Sequence, residues 1–236
     1  MNRWLKLAFV ILMLGLTASF AGLGYWQIER LAEKERLIAS VAAGLSSAPA
    51  PLAEAADYRP VAVSGSYVPG STVLVFTSLG EDAGGISGPG YWVMTALAVD
   101  AGGSLYINRG FVPQARGAEF AAAPPPTGLQ TLSGIARAAE PGGSFTPAAD
   151  IKNRIDWIRY PQRLAAFAGD LPQPLSSFYL DLPAGPPGTL PQGGETVVEF
   201  PNNHLGYAIT WFGFALLTPI LLAFWLFGLR KKKRAS

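Results

Sequence analysis

Two stretches decide how this 236-residue chain folds: LAFVILMLGLTASFAGLGYWQI at residues 7–28 and LGYAITWFGFALLTPILLAFWLFGL at residues 205–229. Neither contains a formal charge over its 22 or 25 residues. An α-helix rises ~1.5 Å per residue, so about 20 residues cross a hydrocarbon core about 30 Å thick. Both stretches are long enough to span it. Trp4, Tyr25 and Trp26 flank the first, and Tyr207, Trp211 and Trp225 lie along the second, as aromatic belts do near membrane interfaces.

Charge outside the two stretches divides by position. Residues 29–204 hold all 16 acidic side chains beside 11 basic ones, whereas the ends carry only Arg3, Lys6, Arg230, Lys231, Lys232, Lys233 and Arg234. The positive-inside rule then gives a cytoplasmic N-terminus at 1–6, a transmembrane helix at 7–28, an extracytoplasmic domain at 29–204, a second transmembrane helix at 205–229 and a basic cytoplasmic tail at 230–236. The terminal RKKKR directly follows a span, so it reads as a topology signal in contact with membrane lipid rather than as a nucleic-acid patch. Ser19-Phe20-Ala21 has the small-x-small form of a signal-peptidase site. The apolar run nevertheless outlasts a signal h-region and continues into LGYWQIERLAEKERLIASV. Ile28, Leu31, Ile38, Val41 and Leu45 then recur at helical spacing. The expectation is a retained anchor that leaves the membrane as a juxtamembrane helix at 29–45. No Arg/Ser-rich presequence precedes the span, which favours a bacterial plasma (inner) membrane, with the main domain periplasmic.

Composition agrees. Half of the residues are hydrophobic and 14% are charged, against about 25% charged in soluble domains. There is no cysteine and a single histidine, which excludes disulfide scaffolds, CxxC redox sites, thiolate zinc sites, cysteine nucleophiles and multi-histidine metal centres. A Ser-His-Asp triad has only His204 to use. A serine–lysine dyad has only Lys34 and Lys152 outside the membrane, and no Ser-x-x-Lys occurs. An anchored hydrolase is short of working parts, and no enzymatic activity is expected.

Between the spans, SSAPAPLAEAADYRP reads as an extended linker because its prolines disfavour helix. Strand-type runs follow at Val61–Tyr67, Thr72–Ser78, Tyr91–Val99 and Ser104–Asn108, with weaker ones at Thr131–Arg137, Phe178–Asp181 and Thr196–Phe200. Turn chemistry separates them at Pro69-Gly70, GEDAGGISGPG, Gly102-Gly103 and Pro141–Gly143. Pro161–Phe167 reads as a short helix with proline in its first turn. The expected fold is a membrane protein: two transmembrane α-helices flanking a mainly antiparallel β domain, barrel- or sandwich-like, with one or two short helices. Gly15 with Ser19, Ala18 with Gly22, and Gly206 with Gly213 form small-residue stripes that either pack the spans together or face lipid.

Three further features invite a chemical reading. The Gly80–Gly90 loop lacks the phosphate-binding order and reads as a hairpin loop, with Glu81-Asp82 as exposed turn carboxylates. IKNRIDWIRYPQR interleaves Lys152, Arg154, Arg159 and Arg163 with Trp157 and Tyr160; a solvated face is the plain reading, lipid headgroups or the carboxylates of a cofactor the sharper ones. His204, in the polar Asn202-Asn203-His204 cluster opening the second span, is either an interfacial hydrogen-bonding residue or an axial ligand to haem iron.

Three segments in order, LGYWQIERLAEKERLI, GYWVMTALAVDAGGSLYINRGFVP and NNHLGYAITWFGFA, resemble the Surfeit locus cytochrome c oxidase assembly family over essentially the whole chain. The resemblance implies an assembly factor that binds haem a and assists its insertion into the cytochrome c oxidase catalytic subunit, with haem a synthase as a further partner. It also implies His204 as the haem iron axial ligand, with Asn203, Tyr207 and Trp211 beside it and Trp26, Gln27 and Arg30 as the aromatic-glutamine-arginine element. Asn108, Arg109, Gly110 and Pro113 would form a strand-end motif in which Gly and Pro terminate the strand. Arg30 and Arg109 are the candidates to pair with haem propionates. The alternative is a membrane scaffold that stabilises the oxidase subunit without binding haem.

Overall fold

The structure, a computed structural model, describes residues 2–80, 86–195 and 202–234. In chain order its elements are α1 (Arg3–Leu45), β1 (Ala50–Pro51), β2 (Pro60–Tyr67), β3 (Val73–Leu79), β4 (Gly88–Val99), β5 (Ser104–Pro113), α2 (Gly117–Ala122), β6 (Leu129–Ala138), β7 (Ile155–Asp156), α3 (Pro161–Leu164), β8 (Leu175–Asp181) and α4 (His204–Arg234). The expected strand at Thr196–Phe200 and the pair Glu81-Asp82 lie outside the described residues. Two compact units emerge: Met1–Ser40 with Glu199–Ser236, and Val41–Val198.

The first unit is a pair of helices, each long and apolar enough to cross a membrane. They run antiparallel, because contacts climb one helix as they descend the other. Phe9 meets Trp225 with ring centroids 4.7 Å apart, Phe20 stacks on Trp211 at 5.7 Å, and Gly24 lies under the ring of Phe212. Hydrocarbon gives apolar side chains no hydrophobic reason to associate, so such pairing rests on close packing and on polar ties. The close approach is made at Gly24, where an added Cβ would stand 2.8 Å from the Phe212 ring. The expected small-residue stripes do not supply it: Gly15, Gly22, Gly206 and Gly213 face open space. The reading in which those stripes pack the spans together does not hold.

The second unit is a β-barrel. The strand order β1-β2-β6-β8-β5-β4-β3-β7, together with a further β2–β4 pairing, closes a five-stranded ring of β2, β6, β8, β5 and β4. All ring pairings are antiparallel except β5–β8, and short β1 and β7 add parallel pairings to β2 and β3. Val61, Val63, Tyr67, Leu97, Val99, Leu105, Ile107, Ala136 and Leu180 form one buried cluster drawn from all five ring strands, which identifies it as the barrel interior. On the outer face Trp92, Met94, Tyr106, Phe111 and Tyr179 are covered by Leu164 of α3 and by Phe167. The β4–β5 hairpin turns through Asp100 and Ala101, with the Gly102 N–H donating to the Val99 carbonyl at 2.8 Å, and Gly102 and Gly103 follow at φ +97° and +83° to bring the chain into β5.

Three local readings are corrected. The NRGFVP motif ends its strand at Pro113, as expected, but not at its glycine: Arg109-Gly110 form a bulge where β5 shifts register against β4 and then runs on. Gly110 is needed there because the backbone of Gln192 approaches it and pairs with Phe111 through two bonds of 2.8 Å. The linker is not free, since Ala50–Pro51 pairs with β2 and Leu52 packs against the barrel interior cluster. The arginines of IKNRIDWIRYPQR form no solvated face. Arg154 donates to the carbonyls of Thr72, Gly70 and Phe167; Arg159 binds Glu140; and Arg163 binds Asp156, which is fully buried. Their charges are spent inside the fold as ties between loops and strands.

Gly110 sits at φ +125°, and a Cβ there would stand 2.4 Å from the Gln192 carbonyl oxygen. Gly110→Ala is expected to cost about 2 kcal/mol or more and to lower the melting temperature by ~4 °C or more. Gly102→Ala, equally left-handed but in open space, is expected to cost clearly less. Thermal unfolding followed by circular dichroism checks both, and equal effects would remove the close-approach account.

Candidate functional site

Within the helix pair, the seam changes character near the start of α4. Below it lie Phe20, Trp211 and Phe214; at its end stands a polar contact. His204 Nδ1 lies 2.7 Å from Gln27 Oε1. The helical period brings this about. On α1, Phe20, Gly24 and Gln27 share the face turned to α4, and on α4 His204, Ala208 and Trp211 share the face turned to α1. Gln27 is 8% exposed and Ala208 1%, so the contact lies in a shielded seam.

A glutamine carbonyl oxygen only accepts, so the imidazole donates its Nδ1–H to it. In the neutral ring, that donation leaves the lone pair on Nε2. A partner on one ring nitrogen is how proteins present the other to a metal. Among the described residues no group of three His, Cys, Asp or Glu side chains is gathered for a metal ion. Nε2 of His204 is the one ring nitrogen that this contact leaves for a ligand.

The other expected site residues fall into separate places. Trp26 and Arg30, one helical turn apart, lie on an exposed face of α1, with the Arg30 guanidinium 5.6 Å from the Trp26 ring centroid and 2.7 Å from Glu33. The aromatic-glutamine-arginine element is thus split: its glutamine faces α4 and its flanking residues face away. Asn203 and Tyr207 are exposed and, with Asn202, Gly206 and Thr210, line an open groove of about 340 Å³ on α4. Trp211 belongs to the seam. Arg109 belongs to the barrel unit, where its guanidinium lies over the Tyr67 ring at 5.7 Å. Asn108 is structural: it donates to Asp181 at 2.8 Å, and its side-chain oxygen accepts from the Gly110 N–H.

Two features were missed by the sequence reading. One is Gln27 as the partner of the histidine, detectable only as a polar residue three positions after Gly24 on the same helical face. The other is Asn202, whose side-chain oxygen is buried with no hydrogen-bond partner among the described residues, an unsatisfied acceptor two residues before the imidazole.

A family model described as the SURF1 family matches residues 14–216. The chain belongs to the SURF1 family. A SURF1-like protein of Monosiga brevicollis is 36% identical over 224 residues, covering 89% of this chain and 83% of that protein. Surfeit locus protein 1 of Homo sapiens is 30% identical, covering 91% and 76%, and a SURF1-like protein of Rickettsia felis is 28% identical, covering 82% and 86%. This SURF1 family member therefore has relatives in both bacteria and animals, and the matched region runs from within α1 into α4.

The chain contains one histidine, so histidine-selective 15N labelling reports a single imidazole. The wild type is expected to show the Nδ1–H tautomer. Gln27→Leu removes the acceptor and is expected to shift the population toward Nε2–H, while Gln27→Glu restores it. An unchanged ring spectrum in Gln27→Leu would show that the contact does not set the tautomer.

Proposed function

We propose that this SURF1 family membrane protein is a non-enzymatic assembly factor for the haem-copper terminal oxidase, binding haem a and assisting its insertion into the catalytic subunit of cytochrome c oxidase. The observation that carries this reading is the His204–Gln27 hydrogen bond of 2.7 Å. It leaves the only imidazole in the chain with a free Nε2 on an apolar, aromatic helix pair. The donor set, one imidazole nitrogen on an apolar seam, fits a haem, which would supply the iron centre when bound. His204 would hold the iron, Gln27 would orient His204, and Trp211, Tyr207 and Asn203 would offer the neighbouring surface. Trp26 stands on the outer face with Arg30. Arg30, on α1, is the candidate for a propionate, and it already shares its charge with Glu33.

The same reading places the protein in a bacterial inner membrane, with both termini cytoplasmic and the barrel periplasmic. Haem a synthase, as supplier, and the oxidase subunit, as recipient, would be its partners. What supports the orientation is the concentration of basic residues at the two ends of the chain and of acidic ones between the spans.

A second reading, a scaffold for the oxidase subunit without haem, draws on the same contact. A hydrogen bond between two helices in an apolar seam stabilises their pairing whether or not anything meets Nε2. The two separate in the absorption spectrum of detergent-purified protein co-expressed with the enzymes of haem a synthesis. His204→Gln keeps an amide donor for Gln27 and removes the iron ligand. The expected result is a haem a spectrum in the wild type, lost in His204→Gln with the protein still folded, and weakened about tenfold in affinity in Gln27→Leu. No haem in the wild type would put the scaffold first; haem retained in His204→Gln would move the ligand elsewhere.

A further inference from the structure

Seven arginines fall within residues 41–198, and six have partners. Arg59 pairs with Glu54, Arg116 with Glu119, Arg137 with Asp57 and Asp181, Arg159 with Glu140, and Arg163 with Asp156. Arg154 donates to three backbone carbonyls. Arg109 has neither a carboxylate nor a carbonyl among the described residues; its guanidinium meets only the ring of Tyr67, 5.7 Å from the centroid. The Tyr67 hydroxyl also has no hydrogen-bond partner among the described residues, although Tyr67 is 7% exposed.

Their position in the fold is specific. Leu105 and Ile107 of β5 enter the barrel interior. Arg109 follows two residues later, held by the bulge, and meets Tyr67, the last residue of β2, at one end of the barrel. Barrel mouths are common places for ligands to bind. Arg109 is half-buried. Burial pulls its guanidinium below the usual value and pushes the Tyr67 phenol above its own, so the phenol is a neutral O–H donor at physiological pH. Drawing a cation out of water without an anion is costly, and an aromatic face offsets only part of that cost.

We propose that Arg109 and Tyr67 form an oxyanion-binding site at the barrel mouth, which receives the carboxylate or phosphate of an amphipathic ligand. The guanidinium presents a planar fork of N–H donors that matches such a group, and the Tyr67 hydroxyl adds one more. The inference rests on the haem reading only for the ligand's identity: haem propionates and lipid phosphates carry the same chemistry.

The test uses the full chain in phosphatidylcholine nanodiscs and metal-free protoporphyrin IX, followed by its fluorescence. Without iron the probe has no bond to make to His204, so this site and the axial-ligand reading fail independently. The dicarboxylate is expected to bind the wild type about tenfold or more tightly than its dimethyl ester. Arg109→Gln is expected to abolish that preference and Arg109→Lys to retain part of it. Competition by phosphatidylglycerol, absent in Arg109→Gln, would assign the site to a lipid headgroup; no competition would assign it to the carboxylate of the cofactor. The acid–ester comparison on unmutated protein needs no variant to fold. Equal binding of acid and ester by the wild type would overturn the proposal.

Discussion

The barrel depends on the twelve residues of β4 serving three neighbours. One edge of β4 pairs with β5 along its length. The other edge pairs with β3 through its first half and with β2 through its last three residues. The exchange happens at Thr95 and Ala96, opposite the turn between β2 and β3. There the Ala96 N–H donates to Ser71 Oγ at 3.0 Å, its carbonyl accepts from Val68 at 2.8 Å, and the Thr72 and Thr95 hydroxyls lie 3.1 Å apart. These hydroxyls take over bonds that a continuous strand would have supplied, which lets one edge change partners without orphaning buried backbone groups. One face of β4 is divided as a result. Tyr91 and Val93 lie in a cluster capped by Phe120 of α2, whereas Leu97 and Val99 lie in the barrel interior. Closure of the ring follows from that division.

Around the barrel, charge is used as a fastener. Asp156 and Asp181 are almost wholly buried, and each holds an arginine from elsewhere in the chain. Glu140 takes both Arg159 and the Tyr179 hydroxyl, with the guanidinium 5.2 Å from the Tyr179 ring centroid. Removing one member of such a buried pair typically costs 3–5 kcal/mol, roughly, because the other is left charged and alone. This arrangement explains how a domain with short strands and many glycines fixes its long connections. It also explains why a basic, aromatic-rich run such as residues 151–163 offers little to an outside ligand: its arginines are already neutralised from within.

What the sequence made legible follows the range of each signal. The spans were readable because continuous apolarity and flanking charge are local properties. Strands such as Val73–Leu79 and Leu129–Ala138 were readable because alternation and β-branched side chains are local too. The Gly-Gly hairpin belongs to the same class. The misreadings share the opposite character. Gly110 looked like a strand terminator, since the Gln192 backbone that demands a glycine there lies 82 residues away. Two-residue β1 and β7 exist only because β2 and β3 offer them an edge. Helix α2 (GAEFAA) has too little length for a period, and it is held by Phe120 packing on the barrel wall. Arg154 and Arg159 looked like surface charge because their partners lie outside the run, and Arg163 because its partner Asp156, though inside the run, is buried only once β7 pairs with β3.

The candidate site sits at the limit of that legibility. His204 stood out because it is unique and opens a span; its partner did not, being 177 residues away. Either residue alone on an apolar seam would leave a polar group unsatisfied, a costly arrangement in a membrane and one that selects against isolated polar positions. Placed opposite one another, each removes the other's penalty. Only Nδ1 is used in doing so. Helix pairing therefore leaves the other nitrogen of the ring unused. A chain that needed the histidine only as a tie between helices would gain the same bond from an amide. An imidazole in that place differs from an amide in having a second nitrogen, directed away from the first.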